Sequence, residues 1–259
     1  MMVNLTQHWR YAWLVTASTL AGGMNAMAGG GSFLSFPAML GVGVPPVEAN
    51  ATNTVALWPG QLTSLATLRG DLRRDLIPAI ATASVVGGVG GALILLHTPQ
   101  RAFLRLVPWL LLIGALVFAA SEPVSRWMRD RSKDYDPERP LPLFPIFFAL
   151  LPITFYIGYF GAGGGFLVMT VLALFGVEKM HTLNALKVVA ACSSNFCAIV
   201  TFVISGRIRW HYCLISMVFA AAGGYVGARY ARRANPLVLR TIVVATGLSL
   251  AAYFFWRQA

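Results

Sequence analysis

What most constrains this chain is where it carries no charge: no Asp, Glu, Lys or Arg lies between Arg10 and Glu48, nor between Arg139 and Glu178. A helix on the surface of a soluble domain keeps a polar face, and stretches this long without one belong in lipid. A hydrocarbon core about 30 Å thick takes about 20 helical residues per crossing, so the apolar runs can be counted. Eight stand out, at roughly 11–40, 49–68, 76–96, 104–120, 143–175, 183–204, 212–231 and 237–256. Composition agrees, with 57% hydrophobic and 11% charged residues against about 25% charged in soluble proteins. The basic excess, 20 Lys and Arg over 9 Asp and Glu, gathers at the ends of these runs. Nucleic-acid binding would need it clustered on a water-exposed element; here it fits loops anchored beside a bilayer. The apolar run after Arg10 is too long for a signal-peptide core and reads as a retained membrane segment.

The first and fifth runs are too long for one plain span, and each is interrupted by three glycines, Gly29-Gly30-Gly31 and Gly163-Gly164-Gly165. An interior glycine costs about 1 kcal/mol against alanine in a helix, so each run is expected to be a broken helix. The interruptions recur because the chain repeats. Phe33-Leu34 aligns with Phe166-Leu167 at an offset of 133, Asn50 with Asn184 and Asn53 with Lys187 at 134, and Gly70 to Arg73 with Gly206 to Arg209 at 136. The expected fold is therefore an all-α integral membrane protein of about eight transmembrane helices in two homologous four-helix repeats. Residues 1–125 form the N-terminal repeat, 126–140 a charged linker and 141–259 the C-terminal repeat. Four spans per half make the repeats parallel; a further crossing at each glycine break gives five per half and inverts them. With eight spans, twelve Lys and Arg fall on the side of the termini and linker and seven on the other, which puts the termini and linker in the cytoplasm.

The second helix of each half is the least apolar, carrying Asn50, Thr52, Asn53, Thr54 and Gln61 in one and Asn184, Lys187, Ser194 and Asn195 in the other. Polar groups in hydrocarbon must meet one another, water or a ligand, and interhelical hydrogen bonding is the plain alternative to a site. Lys187 is the one ionisable side chain well inside a run. Placing it there costs about 2.5–3.5 kcal/mol, and Asn184 shares its face one turn earlier. A cation beside an amide donor suits an oxyanion. The helix pieces restarting after Gly31 and Gly165 add free N–H groups and a positive dipole end. Gly29, Gly30, Gly31, Ser32, Asn50, Asn53, Gly163, Gly164, Gly165, Asn184 and Lys187 are therefore the expected ligands of a small anion, with Asn25, Thr54, His181 and Asn195 as further candidates. The remaining glycines of the two halves, Gly87, Gly88, Gly91, Gly223, Gly224 and Gly227, read as close helix packing.

Other chemistries lack their residues. None of the three lysines follows a glycine, so there is no phosphate-binding loop. Cys192, Cys197 and Cys213 show neither metal-site nor disulfide spacing, and no catalytic pair lies within the runs. An enzyme, a metal site and an organic cofactor are not expected.

Two halves that each open on a glycine break followed by Phe-Leu, continue into an Asn-rich second helix and then a Gly-x-Ile/Leu-Arg loop resemble the TauE/SafE family of sulfite and organosulfonate exporters. The resemblance runs from about Tyr11 to Trp256. It departs at Thr54, where many relatives carry a lysine, so the cationic character of the site is halved. The resemblance implies export of small sulfur-containing anions such as sulfite or sulfoacetate across a bacterial inner membrane, by alternating access between the halves. A channel-like anion pore and a membrane-embedded sensor or scaffold are the rival readings.

Overall fold

The computed structural model describes residues 2–27, 30–120, 123–124, 126, 141–177, 179–231 and 236–258. Among these are ten α-helices and no strand. They are α1 (Met2–Met27), α2 (Ser32–Gly41), α3 (Pro46–Leu68), α4 (Ile77–His97) and α5 (Gln100–Ala119), then α6 (Leu143–Tyr159), α7 (Gly164–Leu174), α8 (Met180–Ile204), α9 (Trp210–Ala231) and α10 (Pro236–Gln258). Two single 3-10 turns, Arg69–Asp71 and Arg74–Leu76, join α3 to α4. Three helical stretches, Arg74–His97, Gln100–Ala119 and Met180–Ile204, are long and apolar enough by themselves to cross a membrane. Large apolar side chains point outward along the bundle, among them Ile94, Leu116, Phe144 and Val218, each more than half exposed. Such a surface fits lipid better than water.

The structure departs from eight helices at the glycine breaks. Gly30 and Gly163 take left-handed backbone angles, φ 84° and 81°, which a side chain would resist, and the chain reverses there. The α-carbon of Gly31 backs onto the carbonyl of Ala21, and Gly41 lies against the indole of Trp13, so α2 returns along α1. In the second half Gly164 sits against Ile157 and Gly176 against Leu141, so α7 returns along α6. Each long run is thus a hairpin of two helices, not one interrupted span, and five of the ten described helices lie on each side of the linker, the count of the alternative reading with five segments per half.

The halves are bound to each other by the same pairings with their roles exchanged: α1 packs on α9 as α6 packs on α4, while α3 meets α8 and α5 meets α10. Contacts along each pair give its direction. Tyr11 reaches His211 and Gly22 and Gly23 meet Ala220 and Gly227, so α1 and α9 run parallel. The Thr154 hydroxyl donates to the Ala83 carbonyl at 2.8 Å and Gly91 meets Phe155 and Tyr159, so α4 and α6 do too. These seams are close because a Cβ on Gly22, Gly87, Gly91, Gly158, Gly223 or Gly227 would run into facing backbone, as one on Gly88 would at Ser194 of α8. That is how membrane helices without a hydrophobic driving force gain contact. Gly224 has ordinary contact distance to Gly22.

The bundle has two distinct ends. At one, Glu48 meets Arg207 and Tyr11 meets His211. At the other, Leu65, Leu72 and Leu76 cluster with Val124, Leu141, Phe175 and Met180. The loops at Gly70 and Gly206 therefore lie at opposite ends of α3, whose 23 residues span about 34 Å. The hairpins do not traverse the bundle, so each half makes three passages, an odd number. The flanks of the linker, Val124 and Leu141, consequently lie at the far end from Tyr11 and from Phe255, which packs on Trp109. Termini and linker were expected on one side; the described flanks of the linker, Val124 and Leu141, and the residues near the chain ends, Tyr11 and Phe255, lie at opposite ends.

Candidate functional site

Lys187 stands two turns into α8, and its stem lies over the first turn of α7. A Cβ on Gly165 would sit 3.0 Å from Lys187 Cγ and 3.1 Å from Cδ, so a side chain there would make the lysine stem shift. The backbone there is open in part: the Gly164 amide donates to Gly161 O at 3.4 Å and the Phe166 amide to Gly163 O at 3.0 Å. The Gly165 amide between them has no acceptor among the described residues. The lysine is partly buried, and no carboxylate, hydroxyl or carbonyl among the described residues pairs with it. Asn184, also partly buried, is one turn earlier on the same helix. A lone ammonium beside the positive end of a helix is an unfavourable pairing of like charge. It becomes favourable when an anion takes the place between them.

The first hairpin is built alike but finished differently. Gly29 lies outside the described residues. The Gly31 amide, which the repeat pairs with Gly164, donates to Asn25 Oδ1 at 2.8 Å, where the Gly164 amide donates to Gly161 O. Ser32 starts α2 and is partly buried. Across from it the repeat places Asn53 where the second half has Lys187. Asn53 is 2% exposed and its Oδ1 has no partner.

Other expected residues are engaged within the protein. Asn50 Nδ2 donates to Tyr159 O at 2.9 Å, at the close of α6, and the Thr54 hydroxyl donates to Asn50 O. Asn195 Nδ2 donates to Gln61 Oε1 at 3.0 Å, beside Trp58, whose indole N–H donates to Cys192 O. These bonds mark the crossing of α3 and α8. His181 is exposed at the start of α8, six residues before Lys187.

Two clusters result where one was expected. Asn53 and Lys187 lie five residues before Trp58 and Cys192 on helices that cross in opposite directions, which separates them by about 15 Å along the bundle. The hairpin tips do approach, but through aromatic rings. Phe118 stands 6.1 Å from Phe33 and 6.1 Å from Phe166, centroid to centroid, and Gly114 touches both Phe33 and Ala162.

Sequence reasoning passed over Glu48, treating it only as the boundary of a charge-free run. It is buried at the start of α3, where Arg207 Nη1 donates to Oε1 at 2.9 Å and Gln100 Nε2 to Oε2 at 2.6 Å. The Val47 amide in turn donates to Gln100 Oε1, and the Arg209 amide to the Thr52 hydroxyl. Three elements are thus tied together at one end. The repeat puts Thr182 opposite Glu48 and Asp71 opposite Arg207, so the other end lacks this tie and shows instead a local Arg73–Asp75 pair at 3.0 Å. The usable signal was an acidic residue in the first turn of a helix opened by Pro45-Pro46.

The family model described as sulfite exporter TauE/SafE matches residues 14–254. A Sinorhizobium protein named probable membrane transporter protein ORF9 is 31% identical over 251 residues, 93% of this chain and 90% of the relative. A Haemophilus influenzae protein named probable membrane transporter protein is 27% identical over 242 residues, 91% and 90% of the two chains. The Escherichia coli K12 protein named probable membrane transporter protein YfcA is 23% identical over 248 residues, 92% and 87%. No solved structure matches.

Proposed function

This chain belongs to the sulfite exporter TauE/SafE family, and on that premise we propose that it is a membrane carrier for small oxyanions, sulfite and organosulfonates such as sulfoacetate foremost, moved outward by alternating access. The observation that carries the reading is Lys187: an ammonium without a counter-ion, laid over the N-terminus of α7 at Gly165. Its charge, the Gly165 amide and the Asn184 amide are the donors an oxyanion needs. The seat does not require the first hairpin. No enzyme activity is proposed, since a carrier needs none.

The helix directions supply the orientation. Each Lys and Arg, assigned to the nearer end along the chain, puts thirteen of the twenty at the linker end and six at the other, with Lys187 in the interior. By the positive-inside rule the linker is cytoplasmic in a bacterial inner membrane and both termini are outside. The halves are then inverted repeats, three crossings and one hairpin each. Lys187 lies two turns from the cytoplasmic end of α8, while the outer end is held by Glu48, Arg207 and Gln100. This is the arrangement of a carrier loaded from the cytoplasm and closed outside. Moving one negative charge outward gains about 2.3 kcal/mol per 100 mV of interior-negative potential, so export needs no ATP.

The test is flux of labelled sulfite and sulfoacetate in proteoliposomes under an imposed potential. Saturable flux that follows the potential and falls at least about tenfold in Lys187→Ala, the loss of one charge-assisted hydrogen bond, is expected. Flux without saturation would replace the carrier by a pore, and unaltered flux in the variant would remove Lys187 from the site.

A further inference from the structure

We infer that a sodium ion binds between α1, α3 and α9, near the first hairpin. Ala21, Leu57 and Ala220 form one buried cluster, which fixes where these three helices touch. Ser18, Asn53 and Ser216 stand three, four and four residues earlier on the same helices, hence on the same faces one turn away. The helices share one direction: α1 with α9 as described, and α3 with α9 because Thr52 meets Arg209 while Leu57 meets Ala220. The three residues therefore form a single layer on the outer side of the contact.

All three are buried, at 0, 2 and 0% exposure, and in each the unpartnered atom is an oxygen: Ser18 Oγ, Asn53 Oδ1 and Ser216 Oγ. The buried hydroxyls of Ser35, Ser84 and Thr154 find acceptors, while Ser194 on α8, away from this layer, does not. Three orphans in one layer call for a common partner, because an unpaired polar group in a membrane interior has no water to turn to.

The donor set names the partner. Two hydroxyl oxygens and an amide carbonyl suit a hard cation, and the lack of any carboxylate excludes calcium and magnesium, which are held through acidic side chains. A monovalent ion fits neutral ligands. The layer is narrow, since α1 and α9 meet backbone to backbone at Gly22 and Gly223, and this favours sodium over potassium. The nearest carboxylate on α3, Glu48, is already paired with Arg207. Binding stands on these observations alone; a role as the coupling ion of transport rests on the carrier reading.

The experiment is thermal unfolding of the purified full chain in equimolar sodium, potassium and choline chloride. Sodium is expected to raise Tm by about 3–6 °C over choline, with little effect of potassium. Ser18→Ala and the Ser18→Ala/Ser216→Ala pair, which leave helix and packing intact, should lose that shift, and Asn53→Asp should enlarge it. Equal Tm in the three salts, or a sodium shift that survives in both serine variants, overturns the site and leaves the layer to water. Sulfite flux is read separately: a sodium shift without flux supports the site and sinks the carrier, and flux without a sodium shift does the reverse.

Discussion

At the second hairpin a lysine lies across Gly165 with its charge unmatched; at the first, the corresponding place on the neighbouring helix is Asn53, and Asn25 closes the Gly31 amide. The backbones reverse alike, through left-handed glycines at 30 and 163. One frame thus carries two chemistries, a cation over the start of α7 in one half and a neutral amide at the matching place in the other. The ends of the bundle differ in the same spirit. Glu48, Arg207 and Gln100 tie the end that also holds Tyr11 and His211, and nothing equivalent stands at the positions the repeat pairs with them.

That comparison can be broken first at its frame. Gly223→Leu would push a side chain into the Thr19 backbone and is expected to destabilise by more than about 3 kcal/mol, read as loss of a monodisperse peak after detergent extraction; normal yield and Tm would contradict the close α1–α9 seam. Next in size is the charge. Exchanging the two residues, Lys187→Asn with Asn53→Lys, should abolish sulfite dependence at the second tip, and Lys187→Arg should restore only part of it because the guanidinium cannot follow the stem over Gly165; a KM within twofold of the native value in either variant counts against the asymmetry.

A smaller effect is expected at the Glu48 tie, which the proposed orientation puts outside. Glu48→Gln keeps the bond with Gln100 but gives up the ion pair, worth about 1 kcal/mol at a half-exposed arginine. In a variant with Cys192 and Cys197 replaced by alanine, maleimide labelling of the buried Cys213 from outside should then quicken several-fold, and an unchanged rate would mean that the tie does not hold that end shut. The smallest is Asn25→Ala. Removing the cap on Gly31 should cost about 1 kcal/mol and lower Tm by about 2–4 °C, whereas the matching Gly164 amide rests on a backbone acceptor, Gly161 O, and has no side-chain cap to lose.

Much of this was legible beforehand and the remainder has identifiable reasons. The helices fell where apolar runs and glycines place them, and Gly87, Gly88, Gly91, Gly223 and Gly227 pack as their spacing suggested. The hairpins were read as single broken spans because both arms are apolar and their summed length suits one long crossing. Only the contacts of Gly31 with Ala21 and of Gly176 with Leu141 reveal the reversal, and with it the opposed ends of the chain and linker. Lys187 was visible as a charge in an apolar run, whereas its seat on Gly165 is seen only in the contacts. Ser18 and Ser216 gave no signal, since a serine in a membrane helix ordinarily bonds back to its own backbone. Their lack of a partner is a property of three helices at once.

The central claim is that Lys187 at the second hairpin tip holds the anion. Isothermal titration of sulfite into the purified protein tests it directly. Saturable binding that weakens at least about tenfold in Lys187→Ala, one charge-assisted bond, with Tm preserved, is the result expected. Equal affinity in the native protein and the variant would contradict it.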